Sequence, residues 1–219
     1  MAPDSRGLVV DFGGVLTTSL DHAFRAFCER EDVDSEALSA TLREAYGAAD
    51  ADSFVARFET GRLERGEFER LLAAALSEGL GRPLEPSDLV ARMLADLRLD
   101  PAMAAAVRNA RLAGIRTALL SNSWGSESYP DDLLDELFDE VVISGHVGLR
   151  KPDPQVFLLA CRRIALTPRA CVFVDDWRPN VEAAEAVGMR GVLHEETPRT
   201  IAELERVLEV RLDGAADTM

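Results

Sequence analysis

Lysine is almost missing from this chain: of 24 basic residues, 23 are arginine and one, Lys151, is lysine. Nor is there any basic block to offset a net charge of −15, which argues against nucleic acid or an anionic membrane as a partner. An acidic surface also repels phosphate esters at long range, so any anion site has to be built locally. No apolar stretch is long enough to span a bilayer, and residues 1–6 do not resemble a signal peptide. Cys28, Cys161 and Cys171 are odd in number and lack metal-ligand spacing, so they read as reduced core thiols of a cytoplasmic protein. The three histidines are scattered, which argues against a histidine metal centre. There is no internal repeat and no low-complexity segment, residues 213–219 read as a frayed end, and nothing specifies an oligomeric state.

What the chain does have is 47% apolar residues over 219 positions, enough for one large domain or a domain carrying an insertion. Five short apolar runs bounded by turn residues read as buried strands: Leu8–Val10, Thr117–Leu120, Val141–Ile143, Val172–Val174 and Gly191–Leu193. Helices are expected between them. Asp100 and Pro101 start one over Ala102–Ala113, which Gly114 closes, and Asp153 and Pro154 start another with Val156, Phe157, Leu159 and Ala160 as its apolar face. Asn180 is the expected cap of a third, Val181–Val187, ended by Gly188. Strand and helix in alternation predict an α/β, Rossmann-like, doubly wound parallel sheet.

The interval between the first two strands is too long for one crossover and reads as helical throughout. Phe68, Leu71, Leu72, Ala75 and Leu76 follow the spacing of one buried helix face. Shorter amphipathic pieces cover Ala23–Phe27, Leu38–Tyr46, Phe54–Phe58 and Leu89–Leu97, with Gly79 to Pro83 separating the last two helices. This predicts a helical bundle, residues 18–98, inserted into an α/β core formed by residues 1–17 and 99–219.

Ligands of a parallel α/β sheet gather outside the carboxyl ends of its strands. Strand one ends in Asp11, strand two in Ser121-Asn122-Ser123 and strand four in Asp175-Asp176, while Lys151 lies in the loop after strand three. Each signal has a plainer reading. Asp-Phe-Gly-Gly can be a strand-end turn, Ser-Asn a helix cap, paired aspartates a solvated loop, and a single lysine an accident. Converging on one edge, they read better as a site. Asp11 and Asp176 could share Mg²⁺ through oxygen ligands, and glycines 13 and 14 let main-chain groups approach a ligand closely. Ser121 would donate to phosphoryl oxygens, and the compact ammonium of Lys151 would neutralise charge in the transition state. That is phosphoryl transfer with Asp11 as nucleophile.

These residues resemble the four ordered motifs of the haloacid dehalogenase superfamily: "VVDFGGVLT", "ALLSNS", Lys151 in "GLRKPDPQVF", and "VFVDDWRPNVEAA". The resemblance covers essentially the whole chain, because the helical interval sits where that family carries its helical C1 cap. The wording, with "FETGRLERGEFERLL" in the cap, looks closest to the branch containing the N-terminal phosphatase domain of soluble epoxide hydrolase and bacterial glucose-1-phosphate phosphatases. It implies Asp11 as nucleophile and metal ligand, with the Gly13 carbonyl and Asp176 completing the protein positions on Mg²⁺ and Asp175 acting directly or through water. It further implies that Ser121, the Asn122 amide, Lys151 and the main chain at Gly14 hold the phosphoryl group of a small phosphorylated substrate, and that Asn180 orients the fourth motif.

The sequence departs from the family at Gly13, where most phosphatases of the superfamily have the aspartate that protonates the leaving alcohol and later activates water. Some members of the glucose-1-phosphate branch resemble this chain in having glycine there and are phosphatases. The expected function is therefore a Mg²⁺-dependent phosphatase of a small metabolite, a sugar phosphate among the candidates. The alternatives are a catalytically weak phosphate-binding or regulatory protein, or a haloacid dehalogenase, against which the intact Asp175-Asp176 pair argues. Trp124 and Tyr129 are expected near the entrance, with packing the stronger reading for Trp124, and Arg150 is expected at the surface.

Overall fold

The computed structural model describes residues 6–47, 52–124 and 129–212, so the expected frayed end at 213–219 lies outside the described residues. Five strands form one parallel sheet: β1 (Gly7–Val10), β2 (Arg116–Ser121), β3 (Glu140–Ile143), β4 (Cys171–Asp175) and β5 (Arg190–Leu193). Each matches an expected run, longer by one residue at its start and, in β2 and β4, by one polar residue at its end. Their order is β3-β2-β1-β4-β5. The chain therefore winds outward from β1 to one edge, then crosses to the other side of β1.

Successive residues of the strands face opposite layers, as the period of two requires. Leu8 and Val10 of β1 join one apolar cluster, and Val9 joins the other. Eleven α-helices are described. Five lie between β1 and β2: α1 (Leu20–Glu31), α2 (Ser35–Gly47), α3 (Phe54–Glu59), α4 (Arg65–Leu80) and α5 (Leu89–Leu94). The rest are α6 (Pro101–Leu112), α7 (Asp131–Leu137), α8 (Ser144–Val147), α9 (Pro154–Arg163), α10 (Arg178–Ala186) and α11 (Thr197–Leu208). Helices α6, α7 and α11 cover one sheet face, and α9 and α10 cover the other. Asp100 caps α6 by accepting from the amides of Ala102 and Met103, with Pro101 in the first turn, where its missing N–H has no partner to lose.

Helices α1–α5 enclose a third apolar cluster of their own, built on Phe27, Phe58, Phe68, Leu72, Leu76, Leu89 and Met93. The chain enters and leaves this bundle through a short antiparallel contact. Thr17 pairs with Leu99, Thr18 N donates to the Arg98 carbonyl (2.8 Å), and Asp100 N donates to the Leu16 carbonyl (2.8 Å). That pairing takes residues 95–99 out of helix, so α5 stops at Leu94 and not at Leu97.

Two helix readings need correction. The buried face of α4 is Phe68, Glu69, Leu72, Ala73 and Leu76, while Leu71 is exposed and Ala75 half-buried. The stripe is rotated because the carboxylate of Glu69 turns inward to accept from Val90 N (3.1 Å). Asn180 does not cap a helix either. It lies within α10, which begins at Arg178 after Trp177, and its buried amide serves Asp175.

Candidate active site

β1 lies between β2 and β4, and the connection from β3 to β4 passes over to its other side. The strand order thus reverses at β1, the switch point beside which sheets of this kind bind their ligands. Asp11 follows β1 directly and is anchored by its own amide, which donates to the Val174 carbonyl (2.9 Å). Its Oδ1 accepts from Phe12 N (2.7 Å) and lies 2.8 Å from Lys151 Nζ.

Lys151 is 1% exposed, one of the largest enclosed side chains in the molecule. Its ammonium bridges Asp11 Oδ1 and Asp175 Oδ2 (2.7 Å) and lies 5.6 Å from the centre of the Phe173 ring. Asp175 is fully buried at the end of β4 and held from every side: Asn180 Nδ2 donates to both of its oxygens (3.1 and 3.0 Å), and Trp177 N donates to Oδ1 (2.8 Å). A carboxylate so enclosed is tolerable only because each lone pair finds a donor.

Carboxylate oxygens of Asp11, Asp175 and Asp176 all lie within 4.8 Å of one another. Three carboxylates against one ammonium leave an excess of negative charge. Burial pushes the Asp11 carboxyl up to about 8, with Asp175 and Asp176 adding to it against the pull of Lys151. Burial and the neighbouring Asp175 push Asp176 up to about 6. Burial works against the ammonium of Lys151, yet Asp11 and Asp175 outweigh it and raise its pKa. The donor set is all oxygen and over-supplied with negative charge, so it suits a hard divalent cation.

The two glycines differ in what they permit. At Gly14 φ is +77°, and a Cβ would lie 2.0 Å from Asp176 Oδ2, so the acidic cluster closes against bare main chain there. At Gly13 a Cβ would meet only Leu20, at 3.6 Å, an ordinary contact. Glycine at position 13 is not demanded by space.

Ser121 ends β2 with its Oγ 2.9 Å from the Tyr129 hydroxyl. The Tyr129 ring packs edge-on against Phe12, and burial pushes its phenol up to about 12 despite the bond to Ser121. Asn122 clamps the lysine loop: its Oδ1 accepts from Lys151 N (2.8 Å) and its Nδ2 donates to the Lys151 carbonyl (3.0 Å). The structure thus brings Asp11, Gly13, Gly14, Ser121, Asn122, Lys151, Asp175 and Asp176 to one edge of the sheet.

Arg150 falls differently, while Trp124 takes the packing position that was its stronger reading. Arg150 is not a surface residue: its Nε lies 2.9 Å from Glu59 Oε2, and the Glu59 side chain is 1% exposed. Trp124 packs into the helical bundle, with its ring 5.9 Å from those of both Phe24 and Phe68. Sequence reasoning missed Glu59, a glutamate ending a short helix with no local sign of what it faces.

The haloacid dehalogenase-like hydrolase family model matches residues 6–188. Bifunctional epoxide hydrolase 2 of Sus scrofa is 28% identical over 185 residues, covering 78% of this chain; the chain spans only 33% of that protein. Phosphoserine phosphatase of Thermus thermophilus is 32% identical over 167 residues, covering 68% of this chain and 65% of the relative. Among solved structures, a HAD family enzyme of Bacteroides thetaiotaomicron in complex with magnesium and inorganic phosphate superimposes with a TM-score of 0.58, at 18% identity, over 87% of this chain and 94% of that one. Among the described residues, no helix is long and apolar enough to cross a membrane.

Proposed function

The chain belongs to the haloacid dehalogenase-like hydrolases, and from that membership we propose that it is a Mg²⁺-dependent phosphatase of a small phosphorylated metabolite. The observation that carries this reading is the ammonium of Lys151, buried between Asp11 and Asp175 beside Ser121 and Asp176. Asp11, Asp176 and the Gly13 carbonyl would hold Mg²⁺, with Asp175 acting directly or through water. The bound cation supplies the charge neutralisation that lets a carboxylate approach an anionic phosphoryl group.

Asp11 Oδ1 already takes two donors, so Oδ2 is the oxygen with lone pairs free to attack phosphorus. As the Asp11–phosphorus bond forms, the bond from phosphorus to the leaving oxygen breaks. Lys151 and Ser121 offset charge on the phosphoryl oxygens, together with the Asn122 amide; the main chain at Gly14, expected to join them, has its N–H on Thr17 Oγ1 (3.0 Å) instead. Water then attacks the phosphorus of the aspartyl phosphate, releases orthophosphate and returns Asp11 as a carboxylate. The Tyr129 phenol keeps its proton through the neutral range and holds Ser121 Oγ in place.

Gly13 leaves the departing oxygen without a carboxyl donor at that position. This supports esters whose leaving group departs easily, anomeric sugar phosphates and acyl phosphates above all. The helical bundle, divided from the core at residues 17/18 and 98/99, would serve as the cap that closes over the substrate and sets specificity. The relatives support the coarser reading of a phosphatase of small metabolites: one is named a phosphoserine phosphatase. The test is phosphate release from a panel of metabolite phosphates with Mg²⁺ and with EDTA. Release that needs the metal supports the proposal. Tight phosphate binding without turnover on any ester would favour a regulatory phosphate-binding protein, which Gly13 alone suggests.

A further inference from the structure

Glu59 closes α3 and lies in the helical bundle, yet its main-chain carbonyl and its Oε2 are both spent on the sheet core. Its main-chain carbonyl accepts from Ser144 Oγ, and the same hydroxyl accepts from Ser123 N (2.8 Å). Two residues on, Gly61 adopts φ +72°, and a Cβ there would lie 2.5 Å from the Gly145 carbonyl, so bundle and core main chains meet directly. The side chain goes further. Oε2 lies 2.9 Å from Arg150 Nε and accepts from Asn122 Nδ2 at 3.3 Å.

Both partners lead to the same residue. Asn122 holds the main-chain N–H and carbonyl of Lys151, and Arg150 Nε approaches that carbonyl at 3.3 Å. The Lys151 ammonium in turn bridges Asp11 and Asp175. A carboxylate of the bundle is therefore one side chain removed from the lysine that contacts the nucleophile. A buried ion pair is poor stabilisation compared with apolar packing of the same volume, and its best-attested use is to fix one arrangement among several. Residues 59 and 150 pair across 91 positions of chain, between the two structural units.

We propose that Glu59 is a positioning residue: by holding Asn122 and Arg150 it sets where Lys151 places its ammonium on Asp11, so that seating of the helical bundle completes the phosphoryl site. The consequence for turnover rests on the phosphatase reading above; the consequence for Lys151 does not.

The single lysine makes the test direct, because an untagged protein labelled with ¹³Cε-lysine gives one lysine side-chain signal, that of Lys151. Three forms are compared with the wild type: Glu59→Ala, Glu59→Gln, and the double variant Glu59→Leu/Arg150→Leu. The double variant removes the buried carboxylate together with its half-buried partner charge and retains volume, so it is expected to fold even where Glu59→Ala fails to. In the folded variants lacking the acceptor, the lysine signal is displaced, and kcat on p-nitrophenyl phosphate with Mg²⁺ falls about tenfold or more while KM changes little. Glu59→Gln, which retains an acceptor oxygen, restores most of both. A folded double variant with the wild-type lysine signal overturns the proposal, whatever its melting temperature. Should the wild type release no phosphate, the phosphatase reading fails, and the lysine signal still decides the role of Glu59.

Discussion

Asp176 Oδ2 fills the space in which a side chain at Gly14 would begin, 2.0 Å from the position of its Cβ. The main chain at Gly14 is also left-handed, and its N–H donates to Thr17 Oγ1 (3.0 Å). Gly14→Ala meets both obstacles at once. It is expected to destabilise the fold by about 1–3 kcal/mol and to abolish turnover by displacing Asp176. Gly13→Ala, whose Cβ has room against Leu20, is expected to fold with little loss. Urea unfolding of the two variants side by side checks the contrast.

Room at Gly13 permits a stronger experiment. Gly13→Asp would place a carboxyl two residues after Asp11, the proposed nucleophile, without a clash at Cβ. General acid–base help contributes roughly 10²–10⁴-fold. The wild type is expected to show rates that fall steeply as leaving-group pKa rises, and Gly13→Asp is expected to flatten that slope and speed alkyl-ester hydrolysis. A flat slope in the wild type, with no gain in the variant, contradicts the account of the missing acid.

The crowded carboxylates predict a pH dependence of stability. Asp11 and Asp176 sit above their ordinary value of 3.8, at about 8 and about 6, so the folded protein binds protons that the unfolded chain has released. Their contribution is fully present below pH 3.8 and is lost as pH rises through 6 and then 8. Mg²⁺ competes with those protons, so the gain in melting temperature on adding it should grow across that window. Thermal melts with and without Mg²⁺ at several pH values measure it. A gain that is constant or shrinks with pH would contradict the assignment of these carboxylates to the metal.

Much of the fold was legible because the strands announce themselves. Each is a short apolar run, and in β1, β2 and β4 a polar residue marks the end that carries chemistry. The lone lysine was informative because arginine fills every other basic position. The Glu59–Arg150 pair was not legible. Helical periodicity shows which face of α3 meets its own bundle, but not that its last residue reaches the core across a second contact. Arg150 was misplaced for the same reason: its partner is 91 positions away. Asn180 has the residue type of a cap, and only the packing of α10 against β4 shows that its amide serves Asp175 instead. In α4, Glu69 counted as polar although its carboxylate has a buried main-chain partner, which shifted the expected face by one residue.

The central claim is that Asp11 carries the phosphoryl group. Protein mixed with a phosphate ester and Mg²⁺, quenched in acid and digested, should yield a phosphorylated peptide spanning Asp11, and Asp11→Asn should yield neither that adduct nor turnover. Sustained phosphate release by Asp11→Asn at the wild-type rate, with no adduct in either protein, would contradict it.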